Sequence, residues 1–381
     1  MNFDQMIDRR CTESTKWNNY PQDVLPMWLA DMDFKAPQPV IQALRDRVDH
    51  GVFGYGKAPK ALNEAILKHL SYYFNWSVDS EAISFVCGVV TGFVHAIYSL
   101  TEPGDRVLIQ TPVYPPILRA PKATGREPVC NPLILGDDGK YAIDFDDFEA
   151  KIATGVKLFI LCNPHNPVGR VFTREELSKM AEICLKYNVW ICSDEIHHDL
   201  IFSGCQHIPI ASLSPEAAQA TVTYFAPSKT FNIAGLSTSV ALAENPVIKD
   251  KLQQTLSMLL GHPNIFGLTA ARAAYQEGRP WLQEMISYLE ANRDFLVDFI
   301  TDSLPDIKIW KPEGTFLGWL DCRQLDVESP HAFFLEKARV GFNDGLSFGE
   351  DGRGFLRINF GCPRATLIEG LTRMQAALER S

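Results

Sequence analysis

An α/β fold is predicted, with a mainly parallel sheet covered by helices on both faces and a smaller α+β unit after it. Three observations lead there. Short, near-continuously apolar runs recur through the middle of the chain, amphipathic runs separate them, and beyond about residue 280 the rhythm changes. Strands that are apolar throughout, rather than alternating, mark a sheet buried on both faces. Strand–helix–strand alternation marks parallel pairing.

The elements follow in order. The first forty or so residues, rich in Pro, Trp and Asp, match neither half and read as an arm packed against the second unit. Buried strands are expected at AISFVCG, DRVLIQTP, VKLFILCNP, VWICSDE, TVTYFAPS and LSTSVALA. Between them, TREELSKMAEICLKYN is a helix, with Thr173 as N-cap and Glu176 three residues on in a capping-box pattern. The long stretch PWLQEMISYLEANRDFLVDFITDSL opens the second unit as a helix, Pro280 suiting its first turn. Shorter strands around IKIW, FLGWLDC and FLRINFG come next, then a closing helix, RATLIEGLTRMQAALER. The division expected is an arm with part of the small domain over 1–45, a large domain over 46–278 and a small domain over 279–381.

Composition narrows the function. At 381 residues, 46% hydrophobic and 22% charged, the chain has the make-up of a globular protein. A net charge of −10 offers no basic field for nucleic acid or an anionic membrane. The opening MNFDQMIDRRCTESTKW lacks the apolar core of a signal peptide, and no run approaches the roughly 18 to 20 apolar residues of a membrane span. Nine scattered cysteines without a C-x-x-C pair suit reduced thiols in a cytoplasmic protein.

The chemistry centres on Lys229, in VTYFAPSKTFNIAGL, which follows an apolar strand and precedes a Gly-containing turn. Alone it is a solvated lysine or a desolvated amine able to form a Schiff base. Ligands in open α/β sheets bind at the carboxyl ends of strands, and other polar groups fall at such ends. VWICSDE ends in Asp194 and Glu195, VKLFILCNP runs into Asn163 and Asn166, AISFVCG opens into GVVTG, and QTPVYPP places Tyr114. An amine for an aldehyde, a carboxylate for a ring nitrogen, donors for a phenolic oxygen and a helix start for a phosphate are what pyridoxal phosphate requires. The bland alternatives are a helix cap at Asp194, exposed loop histidines or metal ligands at His197 and His198 (although no third ligand stands at metal spacing, so no metal is expected), and packed aromatics at Tyr114 and Tyr55.

Seven blocks in order (FDQMIDRRCTESTKW, LPMWLADMDF, FGYG, NPHNPVG, SDEIHHDL, APSKTFNIAGL and LRINFGCPR) resemble the fold type I pyridoxal-phosphate enzymes, the aspartate-aminotransferase superfamily. The likeness spans nearly the whole chain and is nearest to the cystathionine β-lyase and C–S lyase branch. It implies a seven-stranded, mainly parallel sheet in the large domain. It also implies that Lys229 binds the cofactor, that Asp194 faces its ring nitrogen, and that Asn166 and His197 serve its phenolic oxygen. Gly88, Val89, Val90 and Ser228 would hold the phosphate, joined by Tyr55 from the other subunit of a homodimer. Tyr114 would stack on the ring, and Arg357 would take the α-carboxylate of a small amino-acid substrate. Aminotransferases of the superfamily commonly carry an arginine eight residues after the lysine; here that residue is Ser237. The implied reaction is β-elimination at an L-cysteine conjugate. An aminotransferase, and a regulatory protein on the same fold, stay open as alternatives. Asp31 and Asp33 either meet the substrate side chain or cap the arm.

Overall fold

The computed structural model describes residues 1–259 and 261–380. Among them the strands are, in chain order, β1 (Leu25–Pro26), β2 (Ile83–Val86), β3 (Arg106–Thr111), β4 (Glu127–Leu135), β5 (Tyr141–Ile143), β6 (Val156–Cys162), β7 (Trp190–Asp194), β8 (Thr221–Phe225), β9 (Ser239–Leu242), β10 (Lys308–Ile309), β11 (Leu317–Asp321), β12 (Val340–Gly341), β13 (Asn343–Asp344) and β14 (Phe355–Asn359).

One sheet runs in the order β2–β9–β8–β7–β6–β3–β4–β5. The pairings of β4 with β3, β3 with β6, β6 with β7 and β7 with β8 are parallel. Strand β9 runs against both β8 and β2, which returns β2 to the common direction. The C-terminal ends of β2, β3, β4, β6, β7 and β8 therefore share one edge. From β3 the chain steps outward to β4, then resumes on the other side at β6. That reversal is a topological switch point, where such sheets open a crevice.

All six strands expected from apolar runs are present. The sheet has eight strands rather than seven, because β5 folds back antiparallel on the end of β4. Strand β4 escapes a search for apolar runs because it carries Pro128 and Pro132 and alternates exposed with buried residues over much of its length. It lies between β3 and short β5, near the sheet's margin, where missing N–H donors are tolerated.

The helix Arg174–Lys186 begins as its capping box requires. Thr173 Oγ1 accepts from Glu176 N at 3.2 Å, and Glu176 Oε2 accepts from Thr173 N at 2.8 Å. The helix Val89–Leu100 buries Phe93, Ala96 and Ile97 under the sheet. Its Gly92 lets the Tyr224 ring of β8 approach, since a Cβ there would stand 2.4 Å from Tyr224 Cδ1.

A second, antiparallel sheet follows in the order β10–β11–β14–β13. The 25-residue helix Arg279–Ser303 buries Leu282, Met285, Leu289, Leu296 and Ile300 at helical spacing. The N-terminal arm is sewn to this part. Strand β1 pairs in parallel with β12, and Asn359 N donates to Met27 O at 2.8 Å.

Candidate active site

The shared strand edge opens on a cavity of about 240 Å³. Gly88, Val89 and Val90 enter after β2, Tyr114 after β3 and Asn166 after β6. Asp194 and His197 come from the end of β7, and Ser228 and Lys229 from the turn after β8. Arg357 reaches in from β14 of the second sheet. Ten residues singled out in the sequence thus line one cavity. Tyr55 does not; it lies fully exposed in the loop before helix Lys60–Phe74, near exposed Val52 and Phe53.

Lys229 sits in a one-turn helix, Pro227–Thr230, and its Nζ donates to the carbonyl of Ala30. Loss of hydration lowers its amine to about 8, with Arg357 pushing the same way and Asp31 and Asp194 pulling back. Across the cavity, Asp194 is buried and accepts from Ile196 N at 3.1 Å. Burial raises its carboxyl to about 7. The Ile196 N–H resists, Glu195 reinforces the rise, and the Lys229 amine opposes it. Among the described residues Asp194 has no cationic partner within ion-pair distance. A buried acid lacking its cation fits a ligand that brings one, such as a protonated ring nitrogen.

Arg357 shows the mirror-image situation. It donates to Asn166 Oδ1 at 3.0 Å, to Trp28 O at 2.9 Å and, across the strand pair, to Asn343 Oδ1 at 2.6 Å. Its Nε is buried with no partner, and it makes no ion pair among the described residues. Burial lowers the guanidinium to about 10. All its partners are neutral, which leaves a cation in want of a carboxylate.

The remaining groups suit the rest of such a ligand. Gly88, at φ 120°, turns the chain into the helix Val89–Leu100, whose first N–H groups face the strand edge as an anion site. Asn166 bonds Arg357 through Oδ1, which leaves its Nδ2 as a donor. Its carbonyl accepts from Tyr114 N at 3.0 Å, a bond that closes the switch point between β3 and β6. His197 and His198 are buried at 2% exposure, not loop-exposed. Burial, helped by the charges of Lys229 and Arg357, holds His197 well below its ordinary value, so it is neutral with one ring N–H. Among the described residues its Nδ1 has no partner. Ser237, at φ 47°, lines the cavity as a neutral residue.

The N-terminal arm contributes as well. Leu29 and Ala30 of the arm form one wall. Asp31 and Asp33 do not line it. Asp33 is buried against Lys16 Nζ and Arg9 Nη1, both at 2.7 Å, and Trp17 Nε1 donates to it at 2.7 Å. Asp31 takes the other arm of Arg9 at 2.8 Å. Both acids therefore clamp the arm. Their partners lie 15 to 24 residues away with no periodicity to betray them.

The geometry agrees with the comparisons. The model of the aminotransferase class I and II family matches residues 23–374. The cystathionine β-lyase PatB of Bacillus subtilis is 44% identical over 387 residues, covering 99% of this chain and 100% of its own. Cystalysin of Treponema denticola, whose crystal structure contains pyridoxal 5'-phosphate, superposes with a TM-score of 0.96 at 35% identity, covering 100% of this chain and 99% of that one. The pyridoxal-phosphate-bound C–S lyase of Staphylococcus hominis gives a TM-score of 0.93 at 35% identity over 99% of both chains. The chain belongs to the aminotransferase class I and II family, a fold type I protein close to the cystathionine β-lyase branch.

Proposed function

We propose that this protein is a pyridoxal-phosphate-dependent carbon–sulfur lyase that β-eliminates a thiol from an L-cysteine conjugate such as cystathionine, leaving pyruvate and ammonia. The observation that carries this reading is the triad of unmatched charges around one cavity. Lys229 has a lowered amine, Asp194 lacks a cation and Arg357 lacks a carboxylate. Bound there, the cofactor supplies an electron sink for the carbanion left when the substrate's α-proton departs.

The chain's own residues do the rest. Arg357 takes the substrate's α-carboxylate through its planar guanidinium, which fixes the α-carbon relative to Lys229. The Lys229 amine, neutral in useful fraction because burial lowers it, removes the α-proton at Nζ. Asp194 stays ionised once a ring N–H faces it, and it holds that proton in place. Asn166 Nδ2 and His197 donate to the phenolic oxygen. The N–H groups of Gly88, Val89 and Val90 and the Ser228 hydroxyl hold the phosphate, and Tyr114 covers the ring. Ser237 brings no charge to the phosphate, as in the lyase branch, so neutral donors carry it.

Tyr55 completes the phosphate site from the partner subunit of a homodimer. Its full exposure, beside exposed Val52 and Phe53, supports this placement. Nine cysteines, all unpaired, suit a cytoplasmic setting. No helix of the described residues is long and apolar enough to cross a membrane.

The test is product analysis with purified protein. L-Cystathionine should yield pyruvate and free thiol in equal amounts, and Lys229→Ala should abolish both. Efficient amino transfer to a 2-oxo acid without pyruvate formation would instead establish an aminotransferase.

A further inference from the structure

Behind Lys229 lies a buried polar cluster that none of these roles uses. The Asp199 side chain is wholly buried, five residues beyond Asp194. Its Oδ1 stands 2.7 Å from His69 Nε2, and its Oδ2 accepts from Thr230 Oγ1 at 2.8 Å. His198 Nε2 stands 3.2 Å from the same Oδ2, while its Nδ1 meets Glu195 O at 2.8 Å. Burial opposes a charge on Asp199, but His198, His69 and the Thr230 hydroxyl together outweigh it and hold the carboxyl well below the usual range. The rings of Tyr73 and Tyr275 pack on His69 at 4.6 and 5.0 Å, closing the cluster from water. Two histidines and a carboxylate are also the donor types of a zinc site. Here, though, one carboxylate oxygen already lies at hydrogen-bonding distance from His69 and the other is committed to Thr230.

Thr230 adjoins the lysine. The helix Pro227–Thr230 is a single turn, too short to hold its own shape. Something outside it must fix where Lys229 points. Asp199 belongs to the loop that follows Asp194 and carries His197, and His69 anchors that loop to helix Lys60–Phe74. We infer that Asp199, braced by His69, is a positioning residue: through Thr230 it locks the lysine-bearing turn to the loop that follows Asp194 and so sets the aim of the Lys229 amine. The inference rests on the cofactor reading proposed above. Misplacing a reacting group by about 1 Å can slow a step by a hundredfold, so one tether at this point is kinetically significant.

The experiment follows covalent capture of pyridoxal phosphate by cofactor-free protein, in which Lys229 Nζ bonds to the aldehyde carbon and one water leaves. The rate is read from the growth of the visible absorbance band, beside the thermal midpoint and the final cofactor content. Thr230→Val should fold, bind a full complement of cofactor and capture it about tenfold more slowly or worse. Thr230→Ser keeps the hydroxyl and should stay within about twofold of the wild type. Should Thr230→Val fail to fold, Asp199→Asn, which keeps the shape and loses the charge, carries the same expectation of slowed capture. Wild-type capture rates in every variant that folds, even with lowered thermal midpoints, overturn the positioning role. A wild-type protein that develops no band overturns the cofactor reading and this inference with it; a normal band with no elimination overturns only the choice of reaction.

Discussion

Replacing Asp194 by asparagine should stabilise the cofactor-free protein while ruining its use of the cofactor. The carboxyl is raised from 3.8 to about 7 by burial and by Glu195. Because the folded value lies above the unfolded one, the stability this group contributes is whole below pH about 4 and is lost as pH rises through about 7. At 1.36 kcal/mol per tenfold, the loss reaches about 4 kcal/mol at pH 8 and about 2 kcal/mol at pH 5. Asparagine has the same shape, can still accept from Ile196 N, and does not titrate. Urea unfolding of both cofactor-free proteins across this range reads the effect. The variant should be the more stable by about 4 kcal/mol at pH 8, with the gap nearly closed at pH 4. Added pyridoxal phosphate should reverse the ranking, because only the carboxylate gains a cation and binding stabilises the fold by mass action. A variant no more stable than the wild type at pH 8, or an advantage that grows toward acid, refutes the reasoning.

Other consequences follow from the same geometry. Arg357→Lys keeps the charge but loses the planar fork, so kcat/KM for L-cystathionine should fall about 10- to 100-fold, mostly through KM, with the cofactor band unchanged. Gly92→Ala drives a Cβ toward Tyr224 Cδ1 at 2.4 Å and should lower stability by about 1–3 kcal/mol in urea unfolding. Lys16→Met leaves Asp33 buried with Arg9 as its remaining cation; a loss of about 3 kcal/mol is expected, with a lower thermal midpoint. Acylation of Lys229 in cofactor-free protein, followed by peptide mass spectrometry, should rise with pH about a midpoint near 8, the ammonium below it being unreactive.

Much of this was legible in the sequence, for a physical reason. A parallel sheet buried on both faces forces apolar runs, and its function forces polar residues to follow them. Asp194, Asn166, Tyr114 and Lys229 each announce themselves as polar residues at or just after such a run, and they do meet at one edge. Strand β4 escaped because prolines and alternation hide a marginal strand. The clamp of Asp33 by Lys16 and Arg9, and the grouping of His69 with Asp199, 130 residues apart, are tertiary facts without local pattern. Arg357 stood out only through resemblance. Its meaning came from the structure, which surrounds it with neutral partners, Asn166, Asn343 and the Trp28 carbonyl.

The most direct measurement is borohydride reduction of the purified, cofactor-loaded protein, followed by peptide mapping. One pyridoxyl-phosphate adduct per chain is expected on the peptide carrying Lys229, and less of it when reduction is carried out during turnover of excess L-cystathionine, which displaces the lysine in part. An adduct on any other lysine, or none, contradicts it.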